Sequence, residues 1–381
     1  MSAHSAPHIT PQTPEEYAAL VRKLRAATLV VAIVGTALCG LAWQADIDRF
    51  LQAYLVAWIF WVGISAGSLG VLLVHRLTGG VWGVAISRSA ERAAAILPLL
   101  AVLFIPVVLN LPRLYPWARP DVVNGDVVLE GKAVYLNPDA FTMRSAGYLI
   151  LWSLLALLLR GVRRWQLFGN VSGLGLAAYF LSGTFAAIDW MMSLEPHWYS
   201  STFGPMFVIG QALTGLSAGV LGTLLFAPRT RSFTELLGAA LRDLNNMVLA
   251  FVMLWAYIAF TQYLIIYYGN LSEEAVWYVE RTHGGWGWIA LALPVFHFIV
   301  PFLALVNGAG KFDPRALAWI TAGILVIHWF DIYWLVMPAF SPGQLNFSWL
   351  DPAVAVTLGA WWLLAWLLQL RPASDESAEG K

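Results

Sequence analysis

The chain has 381 residues, 59% of them hydrophobic and only 12% charged, with a mean hydropathy of +0.69 and a formal net charge of zero. Soluble globular chains carry roughly twice that charged fraction, so a soluble domain is excluded, and the balanced charge gives no electrostatic footprint for nucleic acid. A single cysteine, Cys39, excludes an intrachain disulfide, and the sequence has no C-x-x-C-H haem attachment and no cysteine cluster for iron–sulfur ligation.

The first 22 residues are polar, with Pro7, Pro11, Pro14, Glu15 and Glu16. The apolar run that follows is long enough to span, so no cleavable signal peptide is expected. About 20 mostly apolar residues cross a bilayer. Ten stretches qualify: roughly 24–43, 50–74, 93–111, 145–160, 169–193, 202–226, 244–268, 286–307, 316–338 and 352–370. They predict an all-α integral membrane protein of ten transmembrane helices. The 20 Trp residues suit aromatic belts at two lipid–water boundaries. The stretch that starts near Arg144 reads as the shortest. Segment 112–143, rich in Pro, Asp, Asn and Gly, is expected to be ordered only by partners or by its own short turns.

Lys and Arg in the connections set the orientation. Sixteen of the 22 fall on one side: Arg22, Lys23, Arg25, Arg76, Arg88, Arg92, Arg160, Arg163, Arg164, Arg229, Arg231, Arg242, Lys311, Arg315, Arg371 and Lys381. Arg49, Arg113, Arg119, Lys132, Arg144 and Arg281 fall on the other. Both termini are therefore expected in the cytoplasm, with the 112–143 loop outside.

Gly63-Ile-Ser-Ala-Gly-Ser-Leu-Gly-Val-Leu-Leu73 is repeated 152 residues later as Gly215-Leu-Ser-Ala-Gly-Val-Leu-Gly-Thr-Leu-Leu225, with eight of eleven positions identical. The same offset sets Asn110 on Gln262. After a shorter second-half loop, Asp189-Trp-Met-Met falls near Asp331-Ile-Tyr-Trp. The organisation that follows is a tail at 1–23, a flanking helix at 24–43, a four-helix bundle at 50–193, a second at 202–338, a flanking helix at 352–371 and a tail at 372–381. Gly63 with Gly67, Ala66 with Gly70, and Gly215 with Gly219 form small-residue faces that let helix backbones approach closely.

A carboxyl at membrane depth costs at least ~2.5 kcal/mol and marks a functional candidate. Asp189, late in the fifth helix, is one such group. Burial is expected to favour its neutral acid, which could then take up and release protons near neutral pH. His328 and Asp331, spaced i and i+3, share a face of the ninth helix and can pass a proton. His297 on the eighth helix is a candidate to join them. His75, beside Arg76 at the end of the second helix, is placed at an inner mouth. Gln262 and Tyr263, with Tyr267 and Tyr268, point toward the outer side. Paired histidines for a haem bundle are missing, and the spacing shows no metal-ligand cluster, phosphate loop or nucleophile elbow.

The stretch Asp189-Trp-Met-Met-Ser-Leu-Glu-Pro-His-Trp-Tyr-Ser-Ser-Thr202 resembles the signature of membrane subunits of alternative complex III, the bacterial quinol:electron-acceptor oxidoreductase. Gly63–Gly70 and Phe260-Thr-Gln-Tyr-Leu-Ile-Ile-Tyr267 support that resemblance, which extends to the polysulfide-reductase (NrfD-like) membrane family. The resemblance implies two four-helix bundles with two flanking helices, in the bacterial cytoplasmic (inner) membrane. It implies as partners a paralogous NrfD-like membrane subunit, an iron–sulfur/molybdopterin-like subunit, multihaem cytochrome c subunits and membrane lipid. Haem and iron–sulfur clusters would sit in those partners, and menaquinone or ubiquinone would serve the complex. By length the chain is similar to the smaller membrane subunit, a non-haem scaffold with proton half-channels. Asp189, His328 and Asp331 are the residues expected to carry protons, with His75, Gln262 and Tyr263 along the path. Two other readings are a quinol site at the outer end of the second to fifth helices and an independent repeat-built secondary transporter.

Overall fold

The computed structural model describes residues 13–161, 169–227 and 230–370. Arg163, Arg164, Arg229, Arg371 and Lys381, together with positions 1–12 of the first tail and all of the last, lie outside the described residues. Ten helices are long and apolar enough to cross a membrane, and no strand occurs among the described residues. They are α1 (Pro14–Ala45), α2 (Ile47–Thr78), α3 (Val81–Leu109), α4 (Pro138–Arg160), α5 (Ser172–Leu194), α6 (Phe203–Phe226), α7 (Arg231–Gly269), α8 (Trp286–Val306), α9 (Pro314–Ala339) and α10 (Leu350–Leu368). The chain is a multi-pass membrane protein.

Several helices outrun the apolar stretches that announce them. α1 begins at Pro14 because Thr13 and Glu16 close a capping box over its first turn. α7 runs for 39 residues, capped at its start by the Thr230 hydroxyl and ended by Asn270 in the left-handed conformation. Such polar turns remain helical beyond the bilayer, where hydropathy no longer marks them. The Arg144 stretch is accordingly not the shortest: α4 has 23 residues and α10 has 19. α3 is interrupted by turns before Pro98 and Pro106, which lack the backbone donor that a continuous helix needs.

α2 is the central helix. Of its most apolar window 94% is buried, against 11% for α1. It packs along α6, the matching helix of the second repeat. A Cβ on Gly67 would lie 1.6 Å from the Gln211 carbonyl oxygen, and one on Gly215 would lie 2.2 Å from the Gly67 carbonyl carbon. Gly67 and Gly215 therefore bring the two backbones together at the seam between α2 and α6, while Gly70 faces Tyr179 and Gly219 faces Ile86 and Ala90. α10 packs on both α1 and α2. Trp61 Nε1 donates to the Ala355 carbonyl at 2.9 Å, and Trp362 Nε1 to the Ser65 hydroxyl at 2.8 Å.

The connections alternate between two ends. At one end, Arg49 pairs with Asp351 and Arg113 with Asp48. At the same end Lys132 donates to the Pro196 carbonyl, Arg281 pairs with Glu195, and Leu345 N–H donates to the Gly284 carbonyl. These contacts join every connection on that end. At the other end, Tyr17 donates to the Phe226 carbonyl and Arg25 to the Leu367 and Leu370 carbonyls. Segment 112–143 is ordered by its own short turns, including Pro116–Ala118, Pro120–Val123 and Val127–Lys132, and it buries Tyr115, Trp117 and Leu129. An amphipathic helix at Ser272–Thr282, absent from the hydropathy reading, lies across the same end.

Candidate functional site

The acids of the two repeats sit in different electrostatic settings. In the first repeat, Asp189 of α5 is fully buried and accepts from Arg144 of α4 at both carboxylate oxygens, each at 2.9 Å. Tyr148, one turn further along α4, adds a third donor at 2.9 Å. The Arg144 guanidinium also lies 3.8 Å from the ring centre of Tyr135. Arginine stays protonated in proteins, so this bidentate pair is charge-balanced without a mobile proton. The acid expected to be neutral is thus ion-paired, because a helix start 45 residues away in sequence delivers a cation to it.

In the second repeat, Asp331 of α9 meets imidazoles instead. His328 Nδ1 lies 3.3 Å from Asp331 Oδ2, without the alignment of a hydrogen bond. Trp255 of α7 donates its indole N–H to the same oxygen at 3.2 Å. His297 of α8 stands with its ring centre 5.2 Å from that of His328 and 3.9 Å from that of Trp255. It is completely buried, and neither ring nitrogen has a hydrogen-bond partner. The backbone aims it: Pro294–Ile299 forms a π-helical turn, a wide turn that re-aims side chains and recurs at functional sites. Gly210 of α6 leaves room for the His328 ring, since a Cβ there would lie 2.7 Å from it. One ligand atom from each of His297, His328 and Asp331 falls within 4.8 Å of the others. The fold thus gathers three side chains of ligand-bearing type that the sequence spacing did not show as a group. His297 and His328 are 31 positions apart on separate helices, so no spacing rule links them.

A cavity of about 480 Å³ opens beside this cluster, between α7, α8, α9 and the Ser272–Thr282 helix. Its wall is largely aromatic, with Trp255, Phe260, Tyr263, Trp277, Tyr278, Phe298 and Trp334, and Asp331 is the one carboxylate among its described lining residues. Trp277 also lines a second cavity of about 330 Å³ at the loop-rich end, which exposes Glu195, His197, Glu273 and Glu280. Arg281 lies against the Trp277 ring at 3.8 Å, pairs with Glu195 and donates to the Leu335 carbonyl at 3.0 Å. Burial, and then the neighbouring Glu195, push the Glu280 carboxyl above its ordinary value.

The remaining sequence candidates scatter. Tyr263 lines the aromatic cavity and stacks on Tyr267. Its neighbour Gln262 instead accepts from Ser200 at 3.1 Å and Thr202 at 2.6 Å, tying the end of the Asp189–Thr202 motif to α7. His75 lies at the opposite end of the molecule, its Nδ1 3.2 Å from the Gly79 carbonyl and its ring edge-on to Trp82. Sequence reasoning treated Arg144 and Arg281 only as topological charges and missed both as ion-pair partners. Tyr148, four residues after Arg144, was the available signal, since it puts a second donor on the same helix face. The chain matches no protein-family model and no curated protein.

Proposed function

We propose that this chain is a non-haem membrane subunit of a quinol-oxidising electron-transfer complex, and that its second repeat carries protons. Electrons would pass through iron–sulfur and haem subunits bound alongside. The complex rests on the resemblance of the Asp189–Thr202 stretch, and the observation that carries the proton role is the contrast between the two buried acids. Asp189 is locked by an arginine, whereas the neighbours of Asp331 are His328 and His297, whose imidazole nitrogens can both take up and give a proton. Asp331 also opens on the aromatic cavity, and Trp277 links that cavity to the carboxylates at the loop-rich end. A proton path would therefore run from Asp331 past Trp277 to Glu280, since Glu195 is held by Arg281 as Asp189 is by Arg144. Asp331→Asn keeps shape and polarity but cannot ionise. In the whole complex, reconstituted in vesicles, it should assemble and yield clearly fewer protons released per quinol oxidised. An unchanged proton-to-electron ratio defeats the reading.

A second reading takes the cavity itself as a quinol-ring site, favoured by its aromatic walls and single carboxylate. It shifts such a site from the second to fifth helices to α7–α9. Under it, Phe298→Trp should raise the KM for quinol by filling the cavity, and leave proton yield per turnover intact. Recovery of the chain without iron–sulfur or cytochrome partners, from membranes solubilised gently, favours an independent transporter.

The orientation assigned here sets the loop-rich end outside the cell. Five of the six cations expected there are held by carboxylates or carbonyls, namely Arg49, Arg113, Lys132, Arg144 and Arg281. The excess of Lys and Arg in the connections at the other end, sixteen against six, is what sets the orientation, whatever partners the six have in the folded chain. In a Cys39→Ser background, Val134→Cys should react with an impermeant maleimide from outside intact cells, and Phe312→Cys should not. Val134 is 92% exposed and Phe312 65%, so both thiols are reachable from their own side. The reverse labelling pattern overturns the orientation.

A further inference from the structure

We propose that His297, His328 and Asp331 form a binding site for a divalent transition metal of the zinc type, with two nitrogen ligands and one oxygen ligand. Three observations converge. The first is donor chemistry: imidazole and carboxylate are the ligand types that zinc takes in three-ligand sites with an open fourth position. The second is geometry. Ligand bonds of about 2.0–2.1 Å in a tetrahedron put adjacent ligand atoms about 3.3 Å apart, and His328 Nδ1 and Asp331 Oδ2 are separated by 3.3 Å. All three ligand atoms lie within 4.8 Å of one another, so His297 needs only a small side-chain rotation to complete the set.

The third observation is unmet bonding capacity. Neither nitrogen of His297 has a hydrogen-bond partner, and the residue is fully buried. A buried polar side chain without a partner needs an explanation, and a metal ion supplies one. The Trp255 indole N–H on Asp331 acts as an outer partner that orients the carboxylate. The aromatic cavity, on which Asp331 opens, provides the route in and room for a water or hydroxide at the fourth position.

The metal would occupy the lone pairs through which protons are proposed to pass, so its binding would block that path. This consequence rests on the proton-carrying role proposed above, whereas the binding itself does not.

Cobalt(II) is the probe, because it takes zinc sites and gives visible d–d absorption when tetrahedral. The full-length chain in lipid nanodiscs should bind one equivalent with that absorption, and zinc should displace it. His297→Gln and Asp331→Asn should each weaken binding by at least ~100-fold, more than the roughly 10–100-fold typical of losing an outer partner of a ligand. His197→Gln, at the exposed pair with Asp126, should leave it unchanged. Absence of the band in the parent protein, or unchanged affinity in both ligand variants, overturns the site. If cobalt fails to bind while Asp331→Asn still lowers proton yield in the complex, the metal site falls and the proton path stands. If cobalt binds at the triad while zinc leaves proton yield intact, the site stands and the path falls.

Discussion

Gly67→Ala should leave no monodisperse protein on size-exclusion chromatography in detergent, although the change adds one methyl group. Its Cβ would sit 1.6 Å from the Gln211 carbonyl oxygen. An unstrained C···O contact is about 3.3 Å, so α2 and α6 must separate by ~1.7 Å along the seam between the repeats. No side chain can rotate away, because the obstacle is backbone. Separation would also disturb the contact of Tyr179 with Gln211, where the tyrosine hydroxyl donates to the amide oxygen at 3.0 Å. Gly215→Ala should behave alike, since it meets the Gly67 carbonyl from the other side. Gly323→Ala in α9 is the control: nothing lies within 4 Å of its added methyl, and alanine is the better helix former by about 1 kcal/mol. If Gly67→Ala elutes like the parent, the close seam is wrong.

That seam shows how far sequence reasoning carried. The repeat was visible because both copies keep glycine at the same places, although only Gly67 of one copy and Gly215 of the other lie at the close backbone approach. The ten spans were visible because the bilayer imposes a length and an apolar composition on each. Asp189 and Asp331 stood out for the same reason, as rare carboxyls within apolar runs. Their surroundings did not. Arg144 reaches Asp189 across 45 positions and His297 reaches Asp331 across 34, and both pairings depend on which helices are neighbours and on how each is rotated. The rotation of His297 depends further on a π-turn at Pro294, which shifts the side chains after it relative to a regular helix. A proline at that place signals a disturbance but not its form. Arg281 was hidden differently: its helix is too short and polar for a hydropathy search, yet it delivers a fully buried guanidinium to Glu195.

The locked pair of the first repeat makes a separate claim that stability measurements can decide. Asp189→Asn should destabilise the chain by about 3 kcal/mol, the lower end of the range for breaking a buried ion pair, because Arg144 retains 22% side-chain exposure and part of its hydration. Arg144→Gln should cost a similar amount, since it strands the carboxylate, which is completely buried. The double variant Asp189→Asn/Arg144→Gln should recover most of that loss, because neither charge is then left alone. The non-additivity is the diagnostic feature, read as urea or SDS unfolding of the three variants beside the parent. Additive losses would mean that the two side chains do not act as a pair. The second repeat should respond differently. Asp331→Asn strands no arginine, so its stability loss should be well below that of Asp189→Asn, while its proton yield should be the one that falls. If instead Asp189→Asn is stable and lowers proton yield, the division of labour between the repeats is reversed, and the arginine-paired carboxylate is the proton carrier.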